Sequence, residues 1–136
     1  MILWRTYAGD VTVMYDTDVL IWLQRGHQKA AKLFECDIDK TISIFTYMEL
    51  QQSARNKDQL KTIKSFIRDM DVQVLPLTPE IGHRASIYVE EYILAHALRA
   101  ANAIIAATAI EHHLTLCTGN VKHFRPIKEL SIKPFR

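Results

Sequence analysis

The sequence predicts an α/β protein built on a parallel sheet of four or five strands with helices on both faces. Short β-rich runs alternate with segments of helical periodicity along the whole chain, the arrangement that wraps a parallel sheet on both sides. The 136 residues suit one compact core. No repeat, low-complexity run or linker-like stretch divides them.

The first strand is "VTVMY", which runs at Asp16 into "DTDVLIWLQRG". There Val19, Leu20 and Leu23 share a helical face until Gly26 stops it. Met14 stands just before this motif, so residues 1–13 read as a candidate N-terminal extension, narrowed to 1–10 because "VTVMY" itself is strand-like. "QKAAKLFE" gives a short second helix, and "TISIFTY" a second strand entering the helix "MELQQSARNK".

"DQLKTIKSFIRDM" puts Leu60, Ile63, Ile67 and Met70 on one face of an amphipathic helix with its basic side outward. "VQVLPL" is the third strand, closed by Pro76 and Pro79. A long helix from Glu80 to about Ala97 carries Ile81, Ala85, Tyr88, Tyr92 and Ala95 at steps of three and four. An Ala-rich helix follows Asn102, then "LTLCT" as the fourth strand and "LSIKPF" as a short edge strand.

Composition excludes more than it assigns. With 49% hydrophobic and 24% charged residues the chain reads as an ordinary globular protein. A net charge of +2, from 17 Lys and Arg against 15 Asp and Glu, does not by itself mark a nucleic-acid partner. The segment from Lys122 to Arg136 holds Lys122, Arg125, Lys128, Lys133 and Arg136 against Glu129. It suits a phosphate backbone or a solvated tail. Cys36 and Cys117 form no CxxC motif or dense pattern, so neither a disulfide framework nor a zinc site is implied and a reducing, cytoplasmic setting is expected. No signal peptide or membrane-spanning run of ~20 apolar residues is recognisable.

Parallel sheets bind ligands beyond the carboxyl ends of their strands. The polar residues expected there are Asp16 and Asp18, Glu49, and Thr118 with Asn120; Asn102 opens the helix leading to the fourth strand. Acids gathered at one sheet edge repel unless a cation lies among them, and oxygen-only donors point to Mg²⁺ or Mn²⁺. Such ions serve phosphodiester hydrolysis. A capping role competes with this. Thr46 and Glu49 have the spacing of a capping box, and Asp16, Thr17, Asp18 and Asn102 are all favoured helix caps.

The segments "YDTDVLIWLQRG", "SIFTYMELQQSAR" and "LRAANAIIAATAIEHHLTLCTGNVKHFRPI" resemble, in order, the motifs of PIN-domain ribonucleases, and specifically of the VapC toxins of VapBC toxin–antitoxin pairs. The resemblance runs from about Val13 to the C-terminus and implies a single PIN-like domain over residues 1–136. It also implies a Mg²⁺- or Mn²⁺-dependent endoribonuclease acting on structured RNA such as tRNA or rRNA, a homodimer, and a VapB antitoxin that holds it inactive. Asp16 matches the family's first metal-binding acid and Glu49 its second. Asn102 stands where the family has a third acid, as in "DALIAATA". Thr118, Asn120 and His123 match the fourth segment, and Thr17 and Asp18 are candidates to orient the ligands.

An amide at position 102 keeps a carboxylate's shape and one oxygen but supplies no negative charge, so impaired cation binding and activity are expected. The rival expectation is an inactive PIN fold kept for binding RNA or protein; a Mg²⁺ phosphatase of unrelated type is a third. His112 and His113 read as helix-end residues. Trp22, Tyr88 and Tyr92 read as core or subunit interface, and Cys117 as core. Ser43 and Ser53 lack the His and acid partners of a serine hydrolase.

Overall fold

The computed structural model describes residues 12–37 and 39–135. Within them, β1 (Val13–Tyr15), β2 (Thr41–Ser43), β3 (Gln73–Leu75), β4 (Thr115–Thr118) and β5 (Ile132–Pro134) form a five-stranded sheet in the order β3-β2-β1-β4-β5. Every adjacent pair is parallel, with Met14 opposite Thr41, Tyr15 opposite Cys117, Ser43 opposite Leu75 and Thr118 opposite Pro134. The helices are α1 (Thr17–Gln24), α2 (Gln28–Cys36), α3 (Ile44–Gln52), α4 (Lys57–Asp69), α5 (Pro79–His96), α6 (Ala100–Glu111) and α7 (Val121–Phe124). The expected α/β architecture is therefore present, with "LSIKPF" supplying the fifth strand.

Side chains of a strand alternate between the two faces of a sheet, and here the alternation makes two cores. Met14 and Leu116 face α5 and α6, packing with Ile81, Ala85, Tyr88, Leu98 and Ile105. Val13, Tyr15, Ile42 and Cys117 face the other way, onto Val19, Leu20, Phe34, Leu50 and Ile63. Each large side chain buried this fully contributes about 1.5–3 kcal/mol. Helix α6 buries Ala103, Ala106, Ala107 and Ala109, whose small side chains let it lie close to its neighbours. Its buried Thr108 satisfies its hydroxyl by donating to Ile104 O at 2.7 Å.

Several boundaries differ from the sequence expectation. The strand in "TISIFTY" stops at Ser43, because Ser43 Oγ caps α3 by accepting from Thr46 N at 3.0 Å and turns Ile44 and Phe45 into the first helical turn. Helix α6 begins at Ala100, two residues ahead of Asn102. Ala95 is exposed, and Leu98, beyond the left-handed Ala97 (φ 53°) that ends α5, fills the core instead. Gly26 ends α1 as expected, with φ 79° that favours glycine. His112 is the C-cap of α6, and Cys117 is buried while Cys36 is exposed. The candidate extension, residues 1–10, lies outside the described residues. Among those residues no helix is long and apolar enough to cross a membrane.

The strand order fixes where a site can form. The chain lays out β1, β2 and β3 in one direction and then returns through α5 and α6 to set β4 on the opposite side of β1. The loops leaving β1 and β4 therefore diverge, opening a crevice at the carboxyl ends of these two strands.

Candidate active site

Asp16 stands at the end of β1, inside that crevice, and is buried. One carboxylate oxygen, Oδ1, accepts from Thr17 N at 2.8 Å as the N-cap of α1. The other, Oδ2, accepts from the Thr118 hydroxyl at 2.7 Å, so the ends of β1 and β4 are joined by side chains as well as by the sheet. Burial, reinforced by the nearby charges of Asp18 and Glu49, raises the Asp16 carboxyl to about 6 despite both hydrogen bonds. Asp16 is thus a helix cap and a member of an acidic group at once.

Glu49 comes from the sixth position of α3, so the capping-box expectation is overturned: Ser43, not Thr46, is the cap. Thr17 brings Glu49 to Asp16. Its hydroxyl lies 2.5 Å from Glu49 Oε1 and 3.0 Å from Thr46 Oγ1. An ionised carboxylate only accepts, so the single Thr17 proton goes to Glu49 and Thr46 is the donor to Thr17. Ser43 Oγ, 3.4 Å from Thr46 Oγ1, continues the chain of buried hydroxyls. The hydroxyls of Ser43 and Thr46 in this relay were missed by sequence reasoning, although the S-x-x-T spacing at a strand end was visible.

Asn102 occupies the third position of α6, behind Arg99 as N-cap, which makes no side-chain capping bond. The capping explanation for this amide therefore fails. Its side chain is half-buried and makes no hydrogen bond to any described residue.

The opposite wall of the crevice is the turn after β4. Asn120 N donates to Thr118 Oγ1 at 2.9 Å, and Asp18 Oδ2 accepts from Gly119 N at 2.9 Å and from Asn120 Nδ2 at 3.2 Å. Burial raises the Asp18 carboxyl, and His123, exposed on α7, is near enough for its charge to oppose that shift. Gly119 was not singled out in the sequence, yet a Cβ there would lie 2.6 Å from the Trp22 ring and 2.8 Å from Asp18 Oδ2. Trp22 itself packs on Phe135 with ring centroids 5.2 Å apart, in keeping with a packing role.

The donors Asp16, Glu49, Asn102 and Asn120 present oxygen only, which suits a hard divalent cation in kind. In number they fall short: among the described residues no group of three or more His, Cys, Asp or Glu side chains could hold a metal ion. A cation here would draw on two carboxylates and neutral oxygens.

Fold and site together define a doubly wound parallel α/β protein with a buried Asp16 and a half-buried Glu49 at its topological switch point. The PIN domain family model matches residues 13–129, and the chain belongs to the PIN domain family. A toxin–antitoxin complex from Klebsiella pneumoniae contains a similar chain, 27% identical with TM-score 0.77, covering 92% of this chain and 99% of that one. DNA-bound VapBC from Salmonella typhimurium (20% identity, TM-score 0.77, 92% and 98% covered) shares the fold. So does VapBC-1 from nontypeable Haemophilus influenzae (21% identity, TM-score 0.74, 90% and 97% covered). No curated protein matches the chain.

Proposed function

We propose that this chain is the toxin of a toxin–antitoxin pair, a Mg²⁺- or Mn²⁺-dependent endoribonuclease acting on structured RNA such as tRNA or rRNA, with activity reduced by Asn102. The observation that carries the reading is the buried Asp16, tied to Thr118 and, through Thr17, to Glu49 at the switch point of a PIN fold. Asp16 and Glu49 would hold the cation, with the oxygens of Asn102 and Asn120 beside them. Bound there, it would lower the pKa of an attacking water and neutralise charge developing on the phosphate. Thr17 and Thr118 orient the two carboxylates. Lys122, His123 and Arg125, exposed beside the crevice on and just after α7, offer contacts for the RNA backbone.

An antitoxin partner is supported by a groove of about 610 Å³ floored by Ile21, Leu23, Ile63 and Phe66 and edged by Arg25 and Arg55. An amphipathic segment with acidic flanks would match it. A homodimer is supported by Ile87 and Leu94, seven residues apart on α5, of which Leu94 is 97% exposed. Two free thiols accord with a cytoplasmic setting.

The test is cleavage of total RNA with Mg²⁺ and with Mn²⁺ by this chain and by Asn102→Asp under identical salt. Cleavage that rises in Asn102→Asp and disappears with Asp16→Ala supports the reading. Folded chains that never cut RNA overturn it. They would leave the second reading, an inactive PIN fold that binds RNA or protein, which an amide at position 102 favours.

A further inference from the structure

The crevice holds one acid, Asp18, that the ligand set proposed above leaves out. Asp18 sits on the first turn of α1, and its Oδ2 receives both Gly119 N and Asn120 Nδ2, from a turn 101 and 102 residues away in sequence. Among the described residues its Oδ1 is buried without a hydrogen-bond partner. Leaving a buried carboxylate oxygen unsatisfied is costly, so the contact made by the other oxygen calls for a reason beyond stability.

The hydrogen-bonding chemistry is one-directional. An ionised carboxylate accepts only, so the Asn120 carboxamide must turn its NH₂ to Asp18. Its Oδ1 then has no donor among the described residues and is left as a neutral oxygen for a ligand. A bare backbone at position 119 is part of the same device, since a Cβ there would collide with Asp18 Oδ2 and the Trp22 ring. A carboxylate at position 120 would instead set two anions at the 3.2 Å separation now spanned by the hydrogen bond, a repulsion that a proton or a cation between them would have to relieve.

Resting on the nuclease reading above, we infer that Asp18 is a positioning residue: it sets the Asn120 carboxamide with its oxygen free to ligate, and its charge excludes an acid from position 120. The family resemblance allows acid, amide or histidine in this segment; in this chain Asp18 narrows the choice to a donor.

Two measurements test this. In NMR spectra of the intact chain, the Asn120 carboxamide and Gly119 amide should exchange slowly and resonate away from random-coil positions. Asp18→Ala should abolish both signatures, while Asp18→Asn, which keeps a carbonyl acceptor, should retain them. In RNA cleavage, measured in the Asn102→Asp background, Asp18→Ala and Asn120→Ala should each cost about 10- to 100-fold. The double variant should cost no more than the worse single one, and Asp18→Asn should stay close to its parent. Asn120→Asp should be more damaging with Asp18 present than with Asp18→Ala.

Multiplying losses in the double variant, equal losses in Asp18→Asn and Asp18→Ala, or Asn120 signals indifferent to Asp18→Ala would each overturn the inference. If no chain cuts RNA, the nuclease reading falls and the catalytic purpose falls with it. The NMR arm then still decides whether Asp18 holds Asn120.

Discussion

The Thr17 hydroxyl donates to Glu49 Oε1 at 2.5 Å, joining the residue that follows β1 to the middle of α3. Thr17 serves both carboxylates, because its backbone N also donates to Asp16 Oδ1. Thr17→Val keeps the shape and the backbone bond but removes the hydroxyl, leaving Glu49 without its donor and Thr46 without an acceptor. It should lower unfolding free energy by about 1–3 kcal/mol, read by urea denaturation. Divalent-cation affinity should fall about 10- to 100-fold by calorimetry. An unchanged affinity would show that Thr17 is structural only.

Glycines at two positions should respond with opposite signs. Gly119→Ala drives a methyl group into the Trp22 ring and Asp18, and should destabilise by about 1–3 kcal/mol. Gly82, within α5, has nothing within 4 Å of its notional Cβ. There alanine should stabilise by about 0.5–1 kcal/mol through helix propensity. Thermal unfolding of the two variants against the parent checks both.

Asp16 sets a pH dependence. Its folded-state carboxyl is raised to about 6 from 3.8, chiefly by burial, so between these values the folded chain holds a proton that the unfolded chain has released. Stability contributed by the neutral carboxyl is therefore complete below pH ~4 and lost as pH rises through ~6, by at most about 3 kcal/mol. Denaturation in the presence of a chelator should show that decline, and Asp16→Asn should flatten it. Excess Mn²⁺ should restore stability above pH 6. A chelated parent whose stability rises from pH 4 to 6 by the same amount as Asp16→Asn would contradict this.

The two thiols should differ in reactivity. Cys36 is exposed, whereas burial pushes the Cys117 thiol up to about 11, leaving it protonated and inaccessible at neutral pH. Alkylation of the native chain at pH 8 followed by mass spectrometry should label Cys36 first and Cys117 only after unfolding.

Legibility in the sequence followed how local each determinant was. The alternation of strands and helices, and the apolar faces of α1 and α4, are carried by neighbouring residues and were readable. The start of α3 was not, because β-branched and aromatic residues in "TISIF" favour a strand while Ser43 starts a helix by a single capping bond. Asp16 and Glu49 could be placed at strand ends, but their link runs through Thr17, 32 residues from Glu49, and only the folded chain shows it. The T-x-x-E spacing pointed to a capping box and misled for that reason. Gly119 carries no chemistry of its own. Its importance arises from Trp22 and Asp18, which approach it from α1.

The sheet's outer strands have a consequence for colloidal behaviour. An open parallel sheet exposes two edges that could each recruit a strand from another molecule. Here both edge strands, β3 and β5, are three residues long, and both meet a proline: Pro76 directly follows β3, and Pro134 is the last residue of β5. Proline has no N–H to offer, and Lys133 adds an exposed charge beside it. Among the described residues neither rim presents the long, flat, fully hydrogen-bonding ledge on which intermolecular sheets grow, so these two strands are poor templates for assembly.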